Sequence, residues 1–482
     1  MSIASEIQRL QTAKEDIVRA LSRKGIEIPS GSTLDEFAEV IDPLTSGKTI
    51  GWVDNPDNYL SFKFVTDGSV RWQNKKGDIQ YSKDAGTTWT YFSGATVSCD
   101  AGDEVWFKGS LTGGCGDNGE ASCSKFYTSG KFYVAGNVQS LCGFNSTLVN
   151  YHFAYLFYNN VGLNMEASNA IVLPATTLSG YCYYYMFAGC TSLTTAPELP
   201  ATTLAQNCYG YMFRGCTSLT TVPELTATTL ANYCYYYMFA GCTSLTTAPE
   251  LPATTLASGC YSGMFQGCTS LTTAPELTAT TLAQGCYSNM FSNCTSLTTA
   301  PELPASTLTQ FCYDNMFQGC TSLTTAPELP ATTLANYCYN YMFNGCTSLT
   351  TAPELPATTL TTSCYSNMFQ SCTSLTTAPE LPATTLAQSC YYFMFGNCTS
   401  LTTAPELPAT TLANYCYNYM FQSCTNLNYI KCLATNPSTS YTSYWVSGVQ
   451  TTSGTFVKNP NTSSWTTGDS GIPTNWTVQD AS

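Results

Sequence analysis

The chain has 482 residues, of which 17 are Lys or Arg and 31 are Asp or Glu, for a net charge of −14. Charged residues make up only 10% of it, against about 25% in an ordinary soluble domain, so the surface must be built from uncharged polar groups and tyrosine. So few cations exclude a nucleic-acid binder, because phosphate contacts need clustered Lys and Arg; a lone histidine, His152, leaves little for His-based catalysis or metal sites; and the lack of any apolar run of about 18 residues speaks against membrane insertion.

Residues 1–48 are expected to be a helical attachment and oligomerisation segment. Ile3, Ile7, Leu10, Ile17 and Leu21 form an a/d seam, interrupted by Lys14. Gly25 fits a C-cap, and Thr33 with Glu36 fits a capping box for a second helix carrying Leu34, Phe37 and Ile41. The opening MSIASEIQRLQTAKEDIVRAL is charged throughout and lacks the apolar stretch of a secretion signal, so folding in a bacterial cytoplasm is expected. Together with KGIEIPSGSTLDEFAEVIDPL, it resembles the amino-terminal segments of tailed-phage fibre and other virion structural proteins. In that family such a segment joins the protein to the particle, and trimers are common.

Residues 49–127 read as a small β-sandwich-like domain. YLSFKFV, SVRWQ, DIQYS, TWTYFS, TVSCD and EVWFKG are short β-prone runs separated by Asp67-Gly68, Lys76-Gly77, Ala85-Gly86 and Ala101-Gly102. Ser82 to Trp89 matches the Asp-box hairpin S-x-D-x-G-x-T-W, a structural motif repeated in sialidase propellers and present here once. Its aspartate is expected to close a tight turn while the tryptophan packs. Cys115 and Cys123, in a Gly-rich stretch, fit neither zinc nor redox spacing. Residues 128–181 are expected to hold a leading cap and a degenerate first repeat, FAYLFYNNVGL at Phe153 to Leu163.

From Cys182 to Cys424 the chain repeats. Ten cysteines from Cys182 to Cys416 are each 26 residues apart, and a second follows each one eight residues later. One such unit cannot bury its own core, but stacked units can. In the unit, Leu204, Cys208, Met212 and Cys216, with Tyr209 and Phe213 alongside, read as a helical stripe. TSLTTAPELP reads as a short strand kinked at its proline. MFAGCTSLTTAPELPATTL (Met186 to Leu204) resembles the BspA-type branch of leucine-rich repeat proteins, found on bacterial surfaces and in phages. TNLNYIKC with GTFVKNP and GIPTNW places a C-terminal cap at 425–482. The fold class expected is therefore an α/β repeat solenoid of leucine-rich-repeat type, about ten repeats plus caps, preceded by a small β domain and a helical segment.

The cysteine columns lack zinc spacing, and eight residues of helix span roughly 12 Å, too far for a disulfide within a repeat; buried free thiols are expected. Nine glutamates from Glu198 to Glu406 form an outward column, read as a solubilising row, with weak Ca²⁺ binding the alternative. The repeats vary mainly at a recognition face made of Tyr181, Tyr184, Tyr185, Tyr211, Tyr233, Tyr236, Tyr237, Phe311, Tyr337, Tyr341, Tyr392, Phe393, Tyr415 and Tyr419. Their offsets put them on one face of the expected helix, and the composition suits adaptable binding surfaces.

No catalytic set, phosphate loop or dinucleotide fingerprint is present, so neither enzyme activity nor a cofactor is expected. The function expected is that of a bacteriophage virion protein of the fibre, appendage or decoration type, located in the virion. It would bind other virion proteins through its amino-terminal helices, form a homo-oligomer, and present the solenoid to a host-surface glycan or protein. The alternatives are a BspA-like bacterial surface adhesin and a purely structural virion protein packed against other subunits.

Overall fold

A computed structural model describes residues 52–73, 77–113, 119–449, 452–462 and 464–482. The seam residues Ile3, Ile7, Leu10, Ile17 and Leu21 lie outside the described residues, as does Cys115. Residues Asn55–Ser482 form one unit, which runs from a β-sandwich through a stacked array of turns to a small parallel sheet.

The sandwich strands are β1 (Leu60–Phe64), β2 (Gly68–Gln73), β3 (Ile79–Ser82), β4 (Thr90–Tyr91), β5 (Val97–Cys99), β6 (Glu104–Gly109), β7 (Lys125–Ser129) and β8 (Phe132–Asn137). One sheet has the order β10-β8-β1-β6-β3-β4, with β9 also paired to β8. Here β9 is Leu163–Asn164 and β10 is Ile171–Val172, both parallel to β8. The second sheet is β5-β2-β7. Alternating apolar residues aim Phe62, Phe107, Phe126 and Trp72 into a common core. The sequence boundary at 127/128 cuts β7, and β8, β9 and β10 tie the sandwich to the array.

Within the repeats the backbone is neither helix nor strand. In the repeat containing Cys208, the N–H groups of Cys208, Gly210, Met212, Arg214 and Cys216 bond the carbonyl three residues back. Those of Asn207, Tyr209, Tyr211, Phe213 and Gly215 instead cross to carbonyls of the following repeat, at 2.7–3.2 Å. Every donor from 207 to 216 is thus satisfied, half locally and half by the neighbour. Asn207, Tyr211 and Gly215 have φ of 52°, 56° and 73°, so a left-handed residue every fourth position restarts the turn.

This corrects the expected α/β architecture. The only α-helix among the described residues is α1, Thr439–Thr442. The spacing of four that suggested a helix is the period of these turns; on a 3.6-residue helix it would drift by about 40° per step. The expected strand also shrinks, to single parallel bridges in two threonine columns such as Thr195 with Thr221 and Thr229 with Thr255. In the column of Thr195 and Thr221 a proline two residues on, Pro197 or Pro223, removes the next ladder donor.

Packing follows the same period. Cys208, Tyr209, Met212, Phe213, Cys216 and Leu219 are all buried, and each sits on its counterpart in the adjoining repeats. The phenylalanines from Phe157 to Phe421 stack with centroids 5.2–5.9 Å apart. The buried tyrosines from Tyr183 to Tyr417 do the same at 5.7–6.1 Å.

Both ends of the array are closed. At the start, Phe153, Tyr155, Phe157 and Asn159 already donate across to the next repeat, and Phe157 stacks on Phe126 of β7 at 5.8 Å and 10°. Asn160 donates to the Phe126 carbonyl and accepts from the Thr128 N–H. The sandwich core and the array core are therefore one. At the other end, β11 (Tyr429–Cys432), β12 (Thr455–Lys458) and β13 (Thr477–Asp480) form a parallel sheet. Trp445 covers both aromatic columns, 6.4 Å from Tyr417 and 6.1 Å from Phe421, and its indole N–H donates to the Gly471 carbonyl at 2.7 Å.

Candidate recognition face

The variable residues fall in columns set by the turns, not on a helix face. Tyr181, Tyr233, Phe311, Tyr337 and Tyr415 precede the first cysteine of their repeats. Tyr185, Tyr211, Tyr237, Tyr341, Phe393 and Tyr419 follow it by three positions. All eleven have φ between 51° and 60°. Tyr184, Tyr236 and Tyr392 lie between these columns. The left-handed region costs an ordinary residue roughly 1–2 kcal/mol, which explains why the same columns elsewhere hold Gly259, Gly263, Gly285, Asn289, Asn315 and Ser363. Gly and Asn tolerate it best; the aromatic residues offset part of it by stacking, worth about 0.5–1.5 kcal/mol per pair.

The fourteen aromatic residues are not brought into one continuous patch. Tyr181, Tyr184, Tyr185, Tyr211, Tyr233, Tyr236 and Tyr237 make one cluster; its closest stack is Tyr185 on Tyr211 at 4.4 Å. Tyr151, Tyr155 and Tyr158 of the first repeat extend it. Sequence reasoning missed these three because their repeat lacks the cysteines that set the register. The cluster ends where the Tyr233 and Tyr237 rings lie over Gly259 and Gly263; a Cβ at either glycine would come within 2.5 Å of them. Phe311 and Tyr337 form a separate stack at 5.0 Å. Tyr392, Phe393 and Tyr419 form a third group, joined by Tyr444 from the cap. Tyr341 and Tyr415 complete the columns, and Tyr233 and Tyr415 are the most exposed of the fourteen.

Between the aromatic groups the face is polar. Asn340 donates to the Asp314 carboxylate at 2.9 Å, and Ser288 reaches its other oxygen at 3.5 Å; partial burial raises the Asp314 pKa. Exposed Arg214 sits 5.5 Å from the Tyr211 ring; burial raises the Tyr185 pKa, and the Arg214 charge partly offsets that rise. Arg214 and Asp314 are the only charges between Cys182 and Cys424 outside the glutamate column, so this face offers shape and hydrogen-bonding groups far more than charge.

The glutamates from Glu198 to Glu406 are all exposed, and Glu406 pairs with Lys431 of the cap at 2.9 Å. Among the described residues no three His, Cys, Asp or Glu groups gather to hold a metal. The two cysteine columns are free and buried. Burial pushes the Cys182 and Cys216 thiols up to about 12, which removes them from nucleophilic chemistry. Outside these columns, Cys123 is disulfide-bonded.

A stack of short turns closed at both ends, with a constant buried lining and a variable outer face, defines a solenoid repeat protein. The model of the BspA type leucine rich repeat region matches six copies at residues 181–324, 237–376 and 336–461, together more than half of the chain. The chain belongs to the BspA-type leucine-rich repeat family. No curated protein and no solved structure matches it. Among the described residues no helix is long and apolar enough to cross a membrane.

Proposed function

We propose that this is a surface-adhesin-type repeat protein that binds a host-surface glycan or protein through the variable face of its solenoid, without catalysis. The observation that carries the reading is the contrast within each repeat. Buried positions are copied almost without change, whereas the outward columns alternate aromatic, amide and small residues in discrete groups. A purely structural stack would be served by Gly or Asn at every left-handed position, yet eleven aromatic residues occupy such positions at a conformational cost. Fluorescently labelled full-length protein on intact bacterial and epithelial cells tests this. Saturable binding that changes little with salt is expected from a nearly uncharged face; no binding to either cell type would overturn it.

A second reading has its own support. The seam of Ile3, Ile7, Leu10, Ile17 and Leu21 and its resemblance to phage fibre segments favour attachment to a virion as a homo-oligomer, with the solenoid projecting as an appendage or packing on other subunits. Full-length protein that sediments as a trimer, and as a monomer after removal of residues 1–48, would support it. A monomer in both forms would count against it.

A further inference from the structure

We propose that the outer face of the larger sandwich sheet holds a carbohydrate site, separate from the solenoid face, that takes a hexopyranose ring. The register places Gln80 of β3 opposite Lys108 of β6 on one side and Tyr91 of β4 on the other. Directly opposed residues share a face of the sheet, so these three side chains form a row across three strands. The opposite face carries Ile79, Phe107 and Leu60, which fill the core.

The row opens into a groove of about 390 Å³ whose lining includes Tyr59, Asp78, Gln80, Tyr91, Lys108 and Phe144. That is the small end of the range for ligand pockets, with room for one or two sugar rings. Two of the rings stand in solvent, Tyr91 at 67% and Phe144 at 44% exposure. Phe144 is also held at φ 60°. Exposed large aromatic groups beside convergent polar side chains mark a binding site more often than a resting surface.

The chemistry selects a sugar. A pyranose has apolar C–H faces that lie against Tyr and Phe rings. Its hydroxyls need donors and acceptors, which the Gln80 amide, the Asp78 carboxylate and the Lys108 ammonium supply. The Lys108 ammonium is held over the Trp89 ring, 4.0 Å from its centroid.

The Asp-box builds the wall behind this row. Asp84 accepts from the Ser82 hydroxyl at 2.7 Å, the Thr88 N–H at 2.9 Å and the Thr88 hydroxyl at 2.6 Å. Gly86, at φ 80°, lets the turn approach Trp106 so closely that a Cβ would lie 3.3 Å from that indole. The turn delivers Trp89 edge-on to Tyr59 at 5.0 Å. The motif thus acts here as a brace for the groove.

The test uses full-length protein and the methyl pyranosides of glucose, galactose, mannose and N-acetylglucosamine, each at about 10 mM, as suits a millimolar affinity. Saturation-transfer NMR and Trp emission are the readouts. At least one pyranoside should receive saturation and shift the emission. Tyr91→Ser and Gln80→Ala should each weaken it by about fivefold or more without moving the melting temperature, since both side chains lie outside the core. Binding by none of the four sugars would overturn the proposal. So would binding that survives both sandwich substitutions.

Discussion

The thiol of Cys216 donates to the carbonyl oxygen of Phe187 in the preceding repeat, with sulfur and oxygen 3.2 Å apart. That carbonyl also accepts from the Cys190 N–H, so it joins two repeats. The relationship recurs at all ten second-column cysteines, from Cys190 to Cys424, at 3.0–3.2 Å. Cysteine at this position is a small apolar filler that carries one weak donor, and the donor must stay protonated.

Because burial raises these thiols, the native protein should be nearly inert to a thiol reagent at pH 8, and the denatured protein without reductant should expose at least twenty reactive groups. Native reactivity of more than a few thiols would contradict the buried columns. Cys268→Ala removes a buried sulfur and leaves the Phe239 carbonyl with one bond fewer. Chemical denaturation should report a loss of about 1–2 kcal/mol.

Gly241 tests the left-handed turns. At φ 74° an added Cβ would meet nothing nearer than 3.7 Å, so Gly241→Ala has space but not conformation. It should cost about 1–2 kcal/mol, and Gly241→Asn should cost less. Equal stability of Gly241→Ala and wild type would argue against the turn geometry.

His152 gives the pH dependence. It is buried against Phe153, accepts from the Val149 N–H at 3.2 Å, and is held neutral by desolvation with a pKa of about 4. A histidine whose folded pKa lies below the unfolded value of about 6.5 contributes its full stability above that value and loses it as the pH falls towards 4. The loss should amount to roughly 1–3 kcal/mol. His152→Gln should flatten the stability profile between pH 6.5 and 4, and its NMR titration checks the pKa directly.

Trp445 seals the far end of both aromatic columns. Trp445→Ala should cost about 3–5 kcal/mol. In an array held by nearest-neighbour contacts the damage should stay local. Hydrogen exchange should accelerate around Tyr415 to Cys424 while the amides near Cys208 remain protected.

The period, the buried cysteines and the outward glutamates were all legible in the sequence, because each follows from counting or from the burial preference of a residue type. The turn backbone was not legible as read. Leu204, Cys208, Met212 and Cys216 fit a helical stripe at first sight. The clue lay in their unbroken spacing of four, and in the Gly, Asn and Ser that share columns with Tyr185 and Tyr181. The grouping of the aromatic residues into three clusters could not be read either. It depends on which rings meet across repeats 26 residues apart, and on tyrosines such as Tyr155 whose repeat lacks the cysteine marks. The groove on the sandwich required the cross-strand register of Gln80, which no local pattern encodes.

In the proposed function, the aromatic part of the variable face makes the contact with a surface. The following repeat supplies a substitution that the fold already accepts: Gly259, Ser262 and Gly263 stand where Tyr233, Tyr236 and Tyr237 stand one repeat earlier. Cell binding by the triple variant Tyr233→Gly, Tyr236→Ser, Tyr237→Gly is therefore the most direct measurement. The variant should melt within a few degrees of wild type and bind cells at least about tenfold more weakly. Unchanged binding by a folded variant would contradict the account.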